Sequence, residues 1–216
     1  MYGNLLVTPT LLDSFDFASS CPPDWRDRAM AGFVTTIKRE HVDYPAFVKK
    51  GRDFENRVYR TCNEAIDLED ALDNNGSKLF NKVVKAVYGS SFQDKIKKNV
   101  TVDGEKVFLF GYTDAQTEHA IDDIKTCLKW SGRDKYLGKN QHIQYLYMTG
   151  KQLFRYIVAE WESEFSNKIK SVNIIEYTNP GVDKLEKILF KRIKDMFTFI
   201  RNQGLWDDYY FTFSKN

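Results

Sequence analysis

The chain has 216 residues, of which 42% are hydrophobic, 29% charged and 15% aromatic, a composition that excludes a disordered chain. Lys and Arg total 32 against 30 for Asp and Glu, so the net charge of +2 does not by itself indicate a nucleic-acid partner. No apolar run approaches the ~20 residues that cross a bilayer, and the N-terminus lacks a signal-peptide pattern. We therefore predict a cytoplasmic protein without membrane contact, folded as a single domain over residues 1–216.

The first part of the chain is predicted to be helical after a short extended start. Apolar residues at near-helical spacing predict a first helix over residues 23–40, with prolines at its entrance, and a second over residues 45–65. The stretch 68–77 is rich in Asp and Asn, which predicts a turn region. A third helix over residues 78–89 is predicted to end at its glycine, Gly89.

The periodicity then changes from helical to alternating. Residues 92–130 alternate in polarity and contain an Asp103-Gly104 turn signal, which predicts three strands with tight reversals. The remaining predicted elements are, in order, a helix over residues 140–150, strands over 153–162 and 170–178, an amphipathic helix after Gly181, and an aromatic tail that packs back on the body. This order predicts a mixed α/β domain with one central sheet flanked by helices.

Charged residues lie near the centre of the alternating stretch. On a strand, residues i and i+2 share a face, so Asp123 and Lys125 project together while Asp122 and Ile124 point to the other side. A short antiparallel return after Asp114 brings that carboxylate close to Asp123. Two carboxylates in a half-buried sheet need a cation, and Mg²⁺ prefers oxygen ligands. We therefore predict a metal site formed by Asp114, Asp123 and the backbone carbonyl of Ile124, with Lys125 beside it.

An ordinary surface position is the alternative for this pair. Asp-x-Lys is a common tripeptide, and such a pair on a strand is more often solvated surface than a catalytic centre. The three histidines, His41, His119 and His142, have no second metal-ligating residue at the usual spacing. They are therefore predicted to lie at the surface or to contact site residues without binding a metal. The choice between the two interpretations depends on supporting residues before and after the strand.

The segment "GYTDAQTEHAIDDIKT" resembles the core motif of the PD-(D/E)XK nuclease superfamily, in its RecB-like and phage exonuclease-like branch. Thr113-Asp114 stands where the superfamily name has Pro-Asp, and Asp123 and Lys125 correspond to the (D/E)-x-K pair. Upstream, "KKGRDFENRVYR" is similar to the first core helix of the family and places Glu55 where an acidic residue faces the metal. The resemblance covers mainly residues 45–150.

A second motif follows the core. The segment "QHIQYLY" resembles the Q-x-x-x-Y motif of RecB-like nucleases and contributes Gln141 and Tyr145, which a helix places on one face. The resemblance implies that these two residues position the strand being cut. Gln93, on the strand that enters the alternating stretch, is a further candidate for substrate contact.

The resemblance implies a restriction-endonuclease-like core, with a central mixed β-sheet flanked by helices. It implies a deoxyribonuclease that hydrolyses phosphodiester bonds with Mg²⁺ or Mn²⁺, most similar to phage or prophage DNA exonucleases used in recombination or end processing. Glu55 would then be a direct or water-mediated metal ligand, and Lys125 would activate water or stabilise charge. DNA is the implied partner, while a homo-oligomer and a single-strand annealing or recombination protein stay open.

Two other functions remain compatible with these motifs. The same core serves structure-specific or sequence-specific endonucleases, and a catalytically inactive nuclease-like fold can act as a DNA-binding or assembly module. The N-terminal Cys21-Pro22 is similar to the opening of RecB-like domains, some of which bind an iron–sulfur cluster through four cysteines. No cysteine follows Cys127, so that ligand set is absent and we predict no iron–sulfur cluster.

Overall fold

The structure, a computed structural model, describes residues 5–43, 45–73 and 77–213. Its helices and strands are, in chain order, β1 (Leu5–Val7), α1 (Pro9–Ser20), a 3₁₀ turn (Pro23–Trp25), α2 (Arg26–Lys38), α3 (Ala46–Glu64), α4 (Leu68–Asp73), α5 (Lys78–Val87), β2 (Ser91–Phe92), β3 (Lys95–Val102), β4 (Glu105–Tyr112), β5 (Ala115–Gln116), β6 (Ala120–Cys127), α6 (Asp134–Leu137), α7 (Gln141–Thr149), β7 (Leu153–Trp161), β8 (Ile169–Thr178), α8 (Val182–Asn202) and α9 (Trp206–Phe213). In this described part of the chain, no helix is long and apolar enough to span a membrane.

The strands of the described residues form two sheets. The small sheet has the order β1-β4-β3, with β1 parallel and β3 antiparallel to β4. The large sheet has the order β2-β5-β6-β7-β8, in which β6 and β7 are parallel and the other neighbours are antiparallel. The predicted fold class, mixed strands flanked by helices, is confirmed, but the strands are divided between two sheets instead of forming one.

Both faces of the central strands are covered by helices. Along β7, Phe154, Tyr156 and Val158 belong to an apolar cluster with α1, α2, α7 and α8, whereas Ile157 and Ala159 belong to a second cluster with α3 and α5. Strands that are buried on both faces have nearly continuous apolar sequences, as the segment "YIVA" of β7 does. Polar residues on the neighbouring strand β6 are consequently enclosed as well.

Most predicted helices are confirmed, but the N-terminal region contains one that was missed. The predicted extended start is present as β1 (Leu5–Val7), but residues Pro9–Ser20 after it form α1, which begins at a Thr8 cap whose side chain accepts a hydrogen bond from the Leu11 N–H. Residues Leu68–Asp73, predicted as a turn region, form the short helix α4 with acidic residues in its first turn. Residues 74–76 of that predicted turn lie outside the described residues.

The prediction of one continuous meander over residues 92–130 is wrong in its pairing. The Asp103-Gly104 turn does join β3 and β4 as a hairpin. However, β4 and β6 lie in different sheets, and the two-residue strand β5 between them pairs with β6 instead. Local alternation predicted β3, β4 and β6 correctly but missed β5, and the partners of the strands depend on contacts with segments far away in sequence.

Helix α7 buries an ionisable residue behind the large sheet. His142 is only 1% exposed, and its Nδ1 lies 3.0 Å from the Tyr156 hydroxyl. Burial, reinforced by the nearby Arg192 cation and opposed by Asp13, lowers the pKa of His142 to about 4. Because the unfolded chain binds a proton at His142 more readily than the folded protein does, this residue makes the fold less stable as the pH falls below its ordinary pKa.

We expect His142→Asn to reduce the acid sensitivity of the protein, since Asn cannot take up a proton but can still reach the Tyr156 hydroxyl. When the pH is lowered from about 7 to about 5, protonation of His142 in the unfolded chain should reduce the unfolding free energy of the parent by about 2 kcal/mol. Denaturant unfolding of both proteins at the two pH values measures this difference. Equal losses of unfolding free energy in parent and variant would contradict the proposed contribution of His142 to acid sensitivity.

Candidate active site

Strand β5 brings two acidic residues together beside β6. Ala115 in β5 lies opposite Asp122 in β6, so the preceding residue, Asp114, arrives next to Asp123 and Ile124. The Asp114 Oδ2 atom accepts a hydrogen bond of 2.9 Å from the Ile124 N–H. The two carboxylates therefore converge as expected, although the antiparallel return runs through β5 and not through a β4–β6 hairpin.

The two neighbouring aspartates of β6 have different partners. The Asp123 side chain is 1% exposed, and Lys125 Nζ lies 2.8 Å from its Oδ1 and 2.7 Å from its Oδ2. Only the Oδ1 contact has hydrogen-bond geometry, so the buried Oδ2 accepts no hydrogen bond. On the other face, Asp122 forms an ion pair with Arg155, at 2.5 Å from Nε and 2.8 Å from Nη2. Strand alternation thus separates a structural ion pair from the pair that faces the site.

Helix α3 carries Glu55 to the same site. A Cβ atom at Gly51 would lie 2.8 Å from the Thr126 Oγ1 atom, so the glycine allows α3 to approach β6 closely. Glu55 follows one helical turn later. Burial raises the pKa of Glu55 to about 7, with Lys125 lowering it and Asp123 raising it. Glu55, Asp123 and Lys125 therefore belong to one electrostatic cluster.

Burial dominates the protonation of this cluster. It raises the pKa of Asp123 to about 7 and also raises the pKa of Asp114; in both cases the Lys125 ammonium opposes the shift. Burial would lower the pKa of Lys125, but Asp123 and Asp114 outweigh it and hold that pKa above its usual range. These raised pKa values mean that the three acidic groups are fully ionised together only at a cost, which a bound cation would offset.

Helix α7 contributes the two residues of the predicted Q-x-x-x-Y motif. The Gln141 Nε2 atom donates a hydrogen bond to Asp123 Oδ1. Tyr145 is buried, and its hydroxyl donates a hydrogen bond of 2.9 Å to the carbonyl oxygen of Tyr112. Gln141 thus contacts the acidic cluster directly, whereas Tyr145 fixes the end of β4 just before Asp114. Substrate contact by either residue stays a prediction.

Gly111 leaves the space that the side chain of Tyr145 occupies. A Cβ atom at Gly111 would lie 2.5 Å from Cε1 and 2.6 Å from the hydroxyl oxygen of Tyr145. We expect Gly111→Ala to displace the ring and to lower the unfolding free energy by about 1–3 kcal/mol through overpacking. Gly32→Ala is the matched control, because a Cβ there meets nothing within 4 Å in helix α2, where alanine should be neutral or stabilising. Denaturant unfolding measures both; equal stability of the two variants would contradict this account.

Gln93 lies in a bend between β2 and β3, not on a strand as predicted. Its φ of 56° is left-handed, its N–H donates to the carbonyl oxygen of Asp114 at 3.2 Å, and its Nε2 donates to the Tyr59 hydroxyl at 3.0 Å. Gln93 is therefore connected to the site through Asp114. Its contact with substrate stays a prediction.

A cleft of about 720 Å³ opens beside Lys125 between β6 and the helices α1, α2 and α6. Three further cations line it: Arg28, Lys135 and Lys139. No local sequence pattern predicts that these three cations share a cleft, because Arg28 is about a hundred residues away from the other two along the chain. The basic stretch 133–139 does predict a positively charged surface around Lys135 and Lys139.

The oxygen atoms around Asp123 suit a hard cation. Among the residues that the structure describes, no three His, Cys, Asp or Glu side chains form a ready metal cluster. Mg²⁺ commonly uses one or two protein carboxylates and completes its shell with water and phosphate oxygens. Asp123 Oδ2 lacks a hydrogen bond, and the Ile124 carbonyl faces the same strand edge as the Ile124 N–H that binds Asp114. Asp114, Asp123, Ile124 and Glu55 therefore fit a site for Mg²⁺ or Mn²⁺.

Two solved structures share this fold. One is the crystal structure of SSO0001, with a TM-score of 0.54 and 12% identity over 92% of this chain and 78% of that one. The other is LHK-Exo, an alkaline exonuclease from Laribacter hongkongensis, in complex with dAMP; its TM-score is 0.51, with 11% identity over 91% of this chain and 90% of that one. No family model and no curated protein matches the sequence. At these identities the likeness establishes a shared fold, and function is a separate inference.

Proposed function

We propose that the protein is a metal-dependent deoxyribonuclease that acts as an exonuclease on DNA. The observation that carries the proposal is the convergence of Glu55, Asp114 and Asp123 on Lys125, from three separate elements of the fold. LHK-Exo, which shares that fold, is an exonuclease whose structure contains dAMP. A buried acidic cluster with an adjacent ammonium and an open cleft can hold a hard cation and stabilise the charge that develops on a phosphate during hydrolysis.

Each residue of the cluster has a proposed role. Mg²⁺ or Mn²⁺, when bound, would polarise the scissile phosphate and lower the pKa of the attacking water. Asp114 and Asp123 would hold the ion through their carboxylates, Ile124 through its carbonyl oxygen, and Glu55 directly or through water. Lys125 would stabilise the charge that develops on the phosphate or orient the attacking water.

The surroundings of the cluster suit a polyanionic substrate. Arg28, Lys135 and Lys139 line the cleft beside Lys125 and would bind DNA phosphates. Gln141, already hydrogen-bonded to Asp123, would position the strand at the site. We also propose a role in recombination or end processing, with a single-strand annealing or recombination protein as partner, in keeping with the resemblance to phage exonucleases.

An assay on DNA of different topology tests the proposal. We expect the purified protein to release nucleotides from end-labelled linear DNA with Mg²⁺ or Mn²⁺, to stop in EDTA, and to leave covalently closed circular DNA intact. Cleavage of the closed circle would favour the endonuclease alternative. Absence of metal-dependent cleavage of any DNA would contradict the proposal, and DNA binding without cleavage would favour an inactive binding module.

A further inference from the structure

The outer face of the small sheet carries a row of aromatic side chains. Along β4, Val107, Leu109 and Gly111 point inward and are buried, so Phe108, Phe110 and Tyr112 share the opposite face. The ring centroids of Phe108 and Phe110 are 6.0 Å apart, and those of Phe110 and Tyr112 are 5.2 Å apart. Tyr112 is 50% exposed. We call these three side chains the aromatic row.

Lysines of the neighbouring strand flank the aromatic row. In the antiparallel register, Lys95 lies opposite Tyr112 and Lys97 opposite Phe110, and both lysines are exposed. The Lys95 ammonium lies 5.2 Å from the Phe110 ring centroid. The residues of β3 and β4 on this outer face include no acidic side chain: Lys95, Lys97, Asn99, Thr101, Lys106, Phe108, Phe110 and Tyr112. The face therefore combines positive charge with flat apolar rings.

Protection of a sheet edge accounts for only part of this surface. Strand β3 is an edge strand, and lysines on edge strands discourage pairing with other chains. That role requires no aromatic side chains on the adjacent inner strand. Phe108 and Phe110 are partly buried, and the Phe110 and Tyr112 rings meet edge to face, so the half-exposed Tyr112 is the ring on which an unpaired base can stack while the neighbouring lysines bind phosphates.

One end of the aromatic row is close in sequence to the candidate active site. Tyr112 stands two residues before Asp114, and its carbonyl oxygen accepts the hydrogen bond of Tyr145. At the far end, Asn99, Thr101 and Lys106 line a shallow groove of about 490 Å³. The aromatic row therefore extends from this groove to a residue that neighbours Asp114 along the chain.

We infer that the outer face of the small sheet binds single-stranded DNA, with a base stacked on Tyr112 at the exposed end of the aromatic row and phosphates bound by Lys95 and Lys97. The inference rests on the proposed function and specifies its substrate as an unpaired strand. Duplex DNA fits this surface poorly, because its bases are already stacked on one another and present no free faces to the rings.

Binding of an oligothymidylate of about twelve nucleotides, followed by fluorescence anisotropy in EDTA, tests the inference without any cleavage. We expect Tyr112→Leu to weaken binding about ten-fold while leaving its salt dependence unchanged, since the lost contact is stacking. The double variant Lys95→Gln/Lys97→Gln should instead lower the slope of log affinity against log salt by about 1.4. Phe110→Leu is a second test of stacking, provided that its unfolding curve matches the parent.

Matched control variants show whether a loss of binding is specific to this face or follows from removing any exposed ring or lysine. Phe165→Leu removes a ring that is 93% exposed between β7 and β8, and Lys170→Gln/Lys191→Gln removes two exposed lysines elsewhere. Both controls should bind the oligonucleotide nearly as the parent does. A strand with abasic sites should bind the parent and Tyr112→Leu equally, because it has no bases to stack.

The outcomes distinguish this inference from the proposed function. Unchanged affinity of Tyr112→Leu for the oligothymidylate, or no binding by the parent, overturns the inference whether or not the protein cleaves DNA. Binding that depends on Tyr112, without cleavage in Mg²⁺ or Mn²⁺, supports the inference while the proposed function fails. A dimer that Tyr112→Leu dissociates in sedimentation experiments, with DNA affinity unchanged, would assign the face to contact between copies of this chain and overturn the inference.

Discussion

Asp123→Asn should reduce metal-dependent cleavage of linear DNA by about a thousand-fold or more, because it removes a buried charge that the proposed metal site requires. The fold should persist, since the amide keeps the shape of the carboxylate and the Asp123 charge is costly to bury. Rates on end-labelled DNA at saturating Mg²⁺ or Mn²⁺, together with an unfolding curve, measure both effects. Cleavage by Asp123→Asn at the rate of the parent would contradict the assignment of the site.

The adjacent aspartate provides the control for that experiment. Asp122 lies on the other face of β6, bound to Arg155 and away from Lys125. At a temperature where Asp122→Asn is folded, we expect it to retain metal-dependent cleavage. A comparable loss of cleavage in both variants would show that neutralising any β6 carboxylate is sufficient, and the specific role of Asp123 would then fail.

The largest expected effect on stability is that of Asp122→Asn itself. The variant leaves the Arg155 guanidinium without its carboxylate in a mostly buried position, where breaking an ion pair costs about 3 kcal/mol. Arg155 also donates a 3.0 Å hydrogen bond to the Ala86 carbonyl oxygen, so the ion pair helps to hold α5 against the sheet. Denaturant unfolding near neutral pH measures the loss.

A double-mutant cycle makes this prediction specific to the pair. Arg155→Met combined with Asp122→Asn should recover part of the stability lost by Asp122→Asn alone, because the double variant no longer buries an uncompensated charge. Strictly additive losses in the double variant would show that the two side chains act independently, contrary to the bidentate contact in the structure.

Several elements could be predicted because their signals are local. The helical spacing of apolar residues predicted α2, α3, α5, α7 and α8, and the left-handed Gly89 follows the end of α5 as expected. The missed helices α1 and α4 also carry local signals. Thr8 before Pro9 is a helix-cap pattern, and acidic residues occupy the first turn of α4. These two errors reflect signals that were present but were given too little weight.

One part of the candidate site could be predicted from strand geometry alone, namely which side chains of β6 share a face. The two-residue period of a strand requires Asp123 and Lys125 to share a face and Asp122 to point away, whichever sheet the strand joins. The family resemblance added Glu55 and Gln141, and the structure places both beside Asp123. Their roles in binding and catalysis stay proposals for the assays above.

Local sequence patterns were therefore sufficient to predict the helices with strong periodicity, the longer strands β3, β4, β6, β7 and β8, and the opposite orientations of Asp122 and Asp123, because each depends on neighbours along the chain. Tertiary packing, by contrast, determines that β4 and β6 belong to different sheets, that β5 places Asp114 beside Asp123, and that Arg28 and Lys139 line the same cleft. These contacts join segments far apart in sequence. They are selected by the packing of whole sheets and helices, which no local pattern of residues specifies.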